Sequence, residues 1–297
     1  MDLTTTAAKS FLGRPRRSAL YMPAGNPRAV EKARGLACDV VILDLEDSTA
    51  PEGKPDARAA AAGAVAAGGF GPREAVIRVN GLDTPWGADD LSAARDAGPD
   101  AILAPKVTAP ADLAAYRRAV GPKPVLWAMI ETCEAVFSLG ELAAASAGEG
   151  VTCWVIGIND LVKEMRCRLD GARTALLPAL TLSVMAARGR GLAILDGVWN
   201  DIPDLDGLAQ ECRQGVDLGF DGKSLIHPTH LEIANRAFSP EAEAIAWART
   251  VAGAFDAPEN AGQGVLKVEG RMVERLHLEQ ARRLIAVADA IAAREAA

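Results

Sequence analysis

The sequence is poor in the residue types that mark a zinc site or a disulfide framework. Only three of its 297 residues are histidine and five are cysteine. The cysteines are odd in number and form no Cys-x-x-Cys pair: Cys38, Cys133, Cys153, Cys167 and Cys212. Neither a zinc site nor a set of structural disulfides is therefore indicated. Reduced thiols of this kind are typical of a cytoplasmic protein.

Long apolar runs and long runs of like charge are also missing. A membrane-spanning helix needs about 20 consecutive apolar residues, and no such stretch occurs. The first ten residues, MDLTTTAAKS, lack the apolar centre of a secretory signal. The net charge of −7 disfavours a nucleic-acid partner, although it leaves room for a local basic pocket that binds a phosphorylated ligand. We expect a cytoplasmic protein that binds neither nucleic acid nor membranes.

Aliphatic residues are abundant and recur in a regular order. Hydrophobic residues make up 49% of the chain and aromatic residues only 4%, which indicates a core of Ala, Val, Leu and Ile. Ala-rich helical stretches separate eight strand-like runs: SALYMPA (18–24), DVVILDLED (39–47), AVIRVN (75–80), DAILAPKV (100–107), PVLWAMIET (124–132), VTCWVIGIND (151–160), LAILDGVWND (192–201) and GFDGKSLIHP (219–228). These runs are apolar on both faces, as in a parallel sheet covered by helices.

Eight strand–helix repeats predict a closed (β/α)₈ TIM barrel. An open, doubly wound sheet is the alternative, weakened because no Gly-x-Gly-x-x-Gly follows the first strand. We place the barrel at residues 1–235 and a helical extension at 236–297. The extension reads as a helix, a polar linker DAPENAGQGVLKVEG and a last helix. It exceeds what an eighth barrel helix needs, so we expect a lid and a subunit contact.

Nearly every predicted strand ends in polar side chains. They are Glu46, Asp47, Arg78, Asn80, Lys106, Glu131, Asp160, Asp196, Lys223 and His227. In a barrel these ends converge on one mouth. Carboxylates brought together repel each other unless a cation or a proton offsets them. The pattern therefore predicts a hard divalent metal at the mouth, with arginine and lysine offsetting the remaining acids.

Glu131 and Asp160 are the predicted metal ligands, since each stands at the end of an apolar run. Oxygen ligands favour Mg²⁺, with Mn²⁺ as an alternative. The backbone of Gly157, Ile158 and Asn159 precedes Asp160 and offers N–H groups to an anion. The structural alternative is that the two acids cap the helices that follow them.

Glu46, Asp47 and Arg78 are further candidates for catalysis and substrate binding. A guanidinium inside an apolar strand needs an anion, and a substrate carboxylate is our preferred partner for Arg78. Asp47 has a structural alternative as the cap of a helix entrance. His227 is interpreted as a hydrogen-bonding loop residue rather than a metal ligand.

These motifs resemble the citrate lyase β-subunit-like family within the HpcH/HpaI aldolase superfamily, which includes malyl-CoA and citramalyl-CoA lyases. The similarity begins at RRSALYMPAGNPRAVEKARGLACDVVILDLED. It continues through IRVN, APKV, MIET, GINDL and GFDGKSLIHP to EGRMVE. The resemblance implies a TIM barrel that forms homotrimers or homohexamers and uses Mg²⁺ to act on acyl-CoA and small oxo-acid substrates.

The resemblance also implies roles for single residues. Glu131 and Asp160 hold the metal, Arg78 holds the oxo-acid, and the backbone of residues 157–160 binds a carboxylate. Arg17 and Lys106 are candidates for contacts with the phosphates of CoA, although solvated basic side chains are an equal alternative.

One segment departs from the family pattern. Where relatives carry Asp in a Gly-x-Met-Ile-Asp segment, this chain reads EGRMVERLH, with Glu274 at the Asp position. In the family, the Asp comes from the neighbouring subunit as the acid/base at the acetyl carbon. Glu274 keeps the carboxylate with a reach one methylene longer; the alternative is a solvated residue near the start of the last helix.

The expected function is a Mg²⁺-dependent carbon–carbon lyase. Its substrate would be a 3-hydroxy-dicarboxylyl-CoA thioester: malyl-CoA, methylmalyl-CoA or citramalyl-CoA. Two alternatives stay open. One is a malyl-CoA thioesterase, in which water attacks the thioester. The other is a citrate lyase β subunit that depends on an acyl carrier.

Overall fold

The computed structural model describes residues 14–296 and contains a closed barrel of eight parallel strands. The first 13 residues of the predicted barrel domain and the last residue of the extension lie outside the described residues. The strands follow chain order, and β1 pairs with both β2 and β8. They are β1 Ser18–Pro23, β2 Val40–Asp44, β3 Glu74–Arg78, β4 Ala101–Ala104, β5 Leu126–Ile130, β6 Val151–Ile156, β7 Ala193–Asp196 and β8 Gly222–Leu225. The TIM-barrel prediction is confirmed, and the open sheet is excluded.

Helices cover the outside of the barrel. They are α1 Pro27–Ala33, α2 Lys54–Ala67, α3 Gly87–Ala97, α4 Pro110–Val120, α5 Cys133–Phe137, α6 Leu139–Gly148, α7 Ile158–Met165, α8 Leu177–Arg188, α9 Leu205–Leu218 and α10 Leu231–Ala237. Each strand is shorter than the run that predicted it. The run at 151–160, for example, ends as strand β6 at Ile156 and continues into α7. Many of the predicted strand-end side chains therefore belong to loops and helix starts.

Side chains of the strands point alternately into the barrel and toward the helices. The interior core consists of Ala19, Val40, Ile42, Val76, Ala101, Leu103, Trp127, Met129, Cys153, Val155 and Leu195. A larger apolar core lies between the strands and the helices. Three polar residues follow interior residues by two positions: Asp44 follows Ile42, Arg78 follows Val76, and Glu131 follows Met129. Alternation therefore points these three polar side chains inward at the mouth.

Asp196 and Lys223 do not face the mouth, contrary to the expectation from their positions near strand ends. Asp196 follows the inward-facing Leu195 and therefore points outward, beside Lys223 on the paired strand. There they form a buried ion cluster with Arg173 and Glu211. The Lys223 Nζ atom lies 3.0 Å from Asp196 Oδ2 and 2.6 Å from Glu211 Oε1, and Arg173 donates to Asp196 Oδ1 at 2.7 Å.

Residues 239–296 form a separate compact unit. Its elements are α11 Ala242–Asp256, β9 Val265–Val268, β10 Arg271–Glu274 and α12 Arg275–Glu295. The predicted linker thus contains a strand that pairs antiparallel with β10. Glu269 and Gly270 make the turn with φ angles of 48° and 82°, as a two-residue hairpin of type I′ requires. The division falls after Phe238, whereas residue 235 lies inside α10.

Within residues 14–296, each helix is either too short or too polar to cross a membrane.

Breaking the buried ion cluster should destabilise the barrel. In Lys223→Met, Arg173 is the remaining cation beside Asp196 and Glu211. The site is fully buried, since the Lys223 side chain is 0% exposed. We expect the free energy of unfolding to fall by about 3–5 kcal/mol, the usual cost of an uncompensated buried charge. Urea denaturation measures it.

The matched control is Arg95→Met, which removes an exposed pair with Asp96 and should cost less than about 1 kcal/mol. Equal losses in the two variants would contradict the assignment.

Candidate active site

A buried ion pair between Arg78 and Asp44 lies at the centre of the mouth. The two residues are register partners on β3 and β2, and both point inward. Arg78 donates through Nε to Asp44 Oδ1 at 2.6 Å and through NH2 to Asp44 Oδ2 at 2.7 Å. Burial alone would raise the pKa of Asp44, but the charge and hydrogen bonds of Arg78 outweigh burial and hold that pKa below its ordinary value. The guanidinium also stacks over Tyr21, 4.8 Å from the ring centre.

The remaining guanidinium nitrogen of Arg78 faces two further acids. Its NH1 atom lies 2.8 Å from Glu46 Oε2 and 3.2 Å from Asp47 Oδ2. Glu46 is 7% exposed, whereas the Asp47 side chain is 62% exposed. Burial raises the pKa of Glu46, although the positive charges of Arg78 and Lys106 oppose the effect. Asp47 is thus the acid that a ligand could displace most easily from Arg78.

The loop that carries Glu46 is held by a buried polar network beneath it. Lys54, 6% exposed, donates to the carbonyl oxygens of Leu45 and Glu46, both at 3.0 Å, and to Asn80 Oδ1 at 2.7 Å. Asn80 donates in turn to the Leu45 carbonyl at 2.9 Å and to Asp90 at 2.6 Å. The network fixes where Glu46 enters the mouth.

Glu131 is the most deeply buried acid of the mouth, with 1% exposure. Its Oε1 atom accepts a hydrogen bond from the backbone N–H of Lys106 at 2.7 Å. Burial, with a contribution from the negative charge of Glu46, raises the pKa of Glu131 to about 8. The side chain packs directly on Gly157, where a Cβ atom would collide with its Cβ and Oε2 atoms. Only glycine at position 157 leaves room for this carboxylate.

Asp160 lies in the first turn of α7, which begins directly after Gly157. Its carboxylate is partly exposed, and its Oδ2 atom lies 3.9 Å from the Lys106 ammonium. The neighbouring Asn159 exchanges side-chain hydrogen bonds with Asn200 from the loop after β7, at 2.7 and 3.3 Å. This amide pair connects the start of α7 to the next loop of the mouth.

Glu131 and Asp160 fit a hard divalent cation. Within residues 14–296, no group of three or more histidine, cysteine, aspartate or glutamate side chains is arranged to hold a metal alone. Mg²⁺, however, commonly uses one or two protein carboxylates and fills its other positions with water and substrate. A carboxylate with a pKa raised to about 8 by burial gains most from a nearby cation. The donor set therefore suits Mg²⁺ with a bound substrate.

The structure brings six of the predicted side chains together at the mouth and places Arg17, like Asp196 and Lys223, elsewhere in the barrel. Glu46, Asp47, Arg78, Lys106, Glu131 and Asp160 are linked by contacts at the mouth. Arg17 precedes β1, at the opposite end of the barrel, where it is buried against Asp39 at 2.9 Å. It is therefore not available for a CoA contact at the mouth. Glu274 is exposed and ends β10 in the C-terminal unit.

The sequence-based reasoning missed Asp44, Tyr21, Lys54 and Asn200. Asp44 and Tyr21 are two residues beyond Ile42 and Ala19, which face the interior, so strict alternation along β1 and β2 would have identified them. Lys54 and Asn200 come from a helix start and a loop. Neither has a periodic signal, and only the folded chain brings them to the site.

Comparison with known proteins places the chain in a family. The sequence pattern of HpcH/HpaI aldolase/citrate lyase matches residues 17–228. The chain belongs to this family. The resemblance seen in the motifs is confirmed, and the matched segment covers all eight strands of the barrel.

Three individual family relatives are informative. The chain is 47% identical over 279 residues to a (3S)-malyl-CoA thioesterase of Cereibacter sphaeroides strain KD131, covering 94% of this chain and 96% of that one. It is 32% identical over 309 residues to an L-malyl-CoA/β-methylmalyl-CoA lyase of C. sphaeroides, covering 94% and 96%. The crystal structure of protein CitE from Mycobacterium tuberculosis, in complex with magnesium, acetoacetate and coenzyme A, aligns with a TM-score of 0.73. That alignment has 29% identity and covers 93% of this chain and 99% of CitE.

These comparisons correct the expected reaction. The lyase expectation is wrong as the main activity, because identity to the thioesterase is 47% and identity to the lyase is 32% over a similar share of the chain. The motifs of the barrel identified the family correctly but did not separate its hydrolases from its lyases.

The buried state of Glu131 predicts a pH dependence of stability in metal-free protein. The folded-state pKa of about 8 lies above the ordinary 4.5, so between these values the folded protein keeps a proton that the unfolded chain has released. In EDTA, the free energy of unfolding should therefore fall as pH rises from about 5 to about 8, by about 1.4 kcal/mol per pH unit at most.

Glu131→Gln has no proton to lose and should remove this slope. Urea titrations of both proteins across the window measure the difference. Parallel curves would show that Glu131 ionises freely in the folded protein.

Proposed function

We propose that this protein is a Mg²⁺-dependent thioesterase that hydrolyses malyl-CoA to malate and free coenzyme A. The observation that carries the proposal is 47% identity to a (3S)-malyl-CoA thioesterase across 94% of this chain. The acidic mouth with its two candidate metal ligands supports it, since malyl-CoA offers a hydroxyl and a carboxylate that a metal can chelate together.

Glu131 and Asp160 would hold the cation. When bound, Mg²⁺ would supply a Lewis acid that fixes the hydroxyl and carboxylate of the malyl group. The backbone N–H groups of Ile158 and Asn159 at the start of α7 would bind the same carboxylate, because helix N-termini attract anions. The Gly157 N–H is not available for this role, since it donates to the Ile130 carbonyl oxygen at 3.0 Å. We keep Mn²⁺ as an alternative metal.

Arg78 has less freedom than the sequence suggested. Asp44 accepts from Nε and NH2, and Glu46 and Asp47 lie against NH1, so a substrate anion would most readily take the place of the exposed Asp47 at NH1. In this proposal Arg78 receives one oxygen of the substrate through NH1 and otherwise holds Asp44 and Glu46 in place.

Glu46 is the candidate base for hydrolysis. Water attacks the thioester carbon, its proton passes to Glu46, and the carbon–sulfur bond breaks with return of a proton to the sulfur. A carboxylate whose pKa is raised by burial is a better proton acceptor near neutral pH than an exposed one. Lys106 and Arg78, on either side of Glu46, offset the negative charge that develops on the thioester oxygen.

Glu274 has no role in the hydrolysis step of this proposal. Hydrolysis of the thioester transfers no proton to or from the acetyl carbon, so the longer side chain in place of the family Asp is compatible with a thioesterase. We retain the proposal that Glu274 reaches the site of a neighbouring subunit in a homotrimer or homohexamer. Its acid/base role would then concern a side reaction at carbon.

Product analysis tests the function directly. Purified protein with malyl-CoA and Mg²⁺ should release malate and free thiol in equal amounts. Glyoxylate and acetyl-CoA as the main products would show that the assignment to hydrolysis is wrong. No turnover without added proteins would favour a subunit that depends on a carrier.

The metal assignment predicts that Asp160→Asn loses Mg²⁺ affinity and keeps its fold. Replacement of a direct ligand should weaken binding by more than about 100-fold, since even residues behind the ligands contribute about 10–100-fold. Isothermal titration with Mg²⁺ measures the affinity, and circular dichroism checks the fold.

Asp89→Asn removes the same charge from an exposed position on α3 and serves as the control. Unchanged Mg²⁺ affinity in Asp160→Asn would remove Asp160 from the ligand set.

A further inference from the structure

Lys106 contacts three carboxylates of the mouth through two different groups. Its backbone N–H donates to Glu131 Oε1 at 2.7 Å. Its ammonium lies 2.5 Å from Glu46 Oε1 and 3.9 Å from Asp160 Oδ2. One residue thus orients one candidate metal ligand and places a positive charge beside the other.

The backbone of Lys106 adopts an unfavourable conformation to make these contacts. Its φ angle is 49°, in the left-handed region that residues with a side chain rarely occupy. Such a conformation persists only where the surroundings hold it, and it is found most often at functional sites. Here the hydrogen bond from its backbone N–H to the buried carboxylate of Glu131 helps to hold the conformation.

The charges of the mouth give the ammonium an electrostatic role. Among the described residues, four carboxylates of the mouth form their ion pairs with two cations: Asp44, Glu46, Asp47 and Asp160 pair with Arg78 or Lys106. Arg78 is already engaged by Asp44 through two hydrogen bonds. Lys106 is therefore the cation that faces the metal-ligand side. A positive charge 3.9 Å from Asp160 Oδ2 repels any other cation that binds there.

We propose that Lys106 is an internal counter-ion, which keeps the acids of the mouth in place and weakens Mg²⁺ binding until a substrate anion enters. The inference rests on the metal site of the proposed function and adds a regulation of it. With the anion present, the added negative charge offsets Lys106, and metal and substrate then bind cooperatively. The role differs from the CoA-phosphate contact that the sequence suggested, because the ammonium is directed at protein carboxylates.

Three variants separate the counter-ion role from the others. Lys106→Gln removes the charge, and Lys106→Arg keeps it. Lys123→Gln removes the same charge from an exposed position before β5, at the end of the barrel opposite the mouth. The measurements are isothermal titration with Mg²⁺, without and with saturating malate as the anionic probe, thermal unfolding, and KM for malyl-CoA.

We expect Lys106→Gln to bind Mg²⁺ about tenfold more tightly than the parent protein in the absence of malate. Lys106→Arg and Lys123→Gln should stay within about threefold of the parent. Malate should strengthen Mg²⁺ binding to the parent by about tenfold and to Lys106→Gln by much less, because the repulsion that it relieves is already gone.

Other outcomes overturn the inference in identifiable ways. Weaker Mg²⁺ binding in Lys106→Gln would show that the side chain only holds the acids in position. Unchanged Mg²⁺ binding with a tenfold higher KM would show a substrate phosphate contact instead.

Failure of the proposed thioesterase function can be distinguished from failure of the Lys106 inference. A parent protein that binds Mg²⁺ but releases no malate from malyl-CoA overturns the thioesterase and leaves the comparison of Lys106 variants decisive. A parent that binds no Mg²⁺ overturns both.

Discussion

Repulsion among carboxylates is the constraint on which the mouth of this barrel depends. The pair Arg78–Asp44 neutralises itself at the centre, with both residues buried. The other acids then rely on one nitrogen of Arg78 and on Lys106. Burial leaves Glu131 with a raised pKa, and a nearby positive charge would favour its ionised form. A divalent cation would supply that charge, and an anionic substrate would balance the excess.

Close packing supports the same arrangement. Gly157 ends the inner face of the barrel beside Glu131 and has no Cβ that would displace it. Gly197 has an equivalent place one strand further, where a Cβ would press on Ile158, the first residue of α7. Its backbone N–H is held by Asp196 Oδ1 at 2.8 Å. The buried ion cluster outside the barrel is thereby connected through Gly197 to the helix that carries Asp160.

The fold and much of the site could be predicted because both follow from regular patterns. Eight apolar runs between helical stretches specified the barrel, and polar strand ends located its mouth. The runs did not show whether each side chain points into the barrel or toward the helices. Asp44 points inward and Asp196 outward, although both end a strand. Within a strand, side chains two residues apart point the same way, so the direction of Asp44 and Asp196 follows from the nearest apolar residue of the interior. This alternation does not apply to Glu46 or Asn200, whose positions are set by loops and by hydrogen bonds from distant parts of the chain.

The error about the reaction has a physical reason as well. A lyase and a thioesterase that act on malyl-CoA need the same recognition of its hydroxyl and carboxylate, so the metal ligands, the arginine and the loop that we propose for this recognition would serve either reaction. They differ only at the second carbonyl: a lyase must move a proton at the acetyl carbon, whereas a thioesterase must activate water at the thioester. The motifs of the barrel report the shared recognition and are silent on the difference. The one motif that departs from the family is at Glu274. The resemblance assigns this position to the proton at the acetyl carbon, so it is the part of the sequence that bears on the choice between the two reactions.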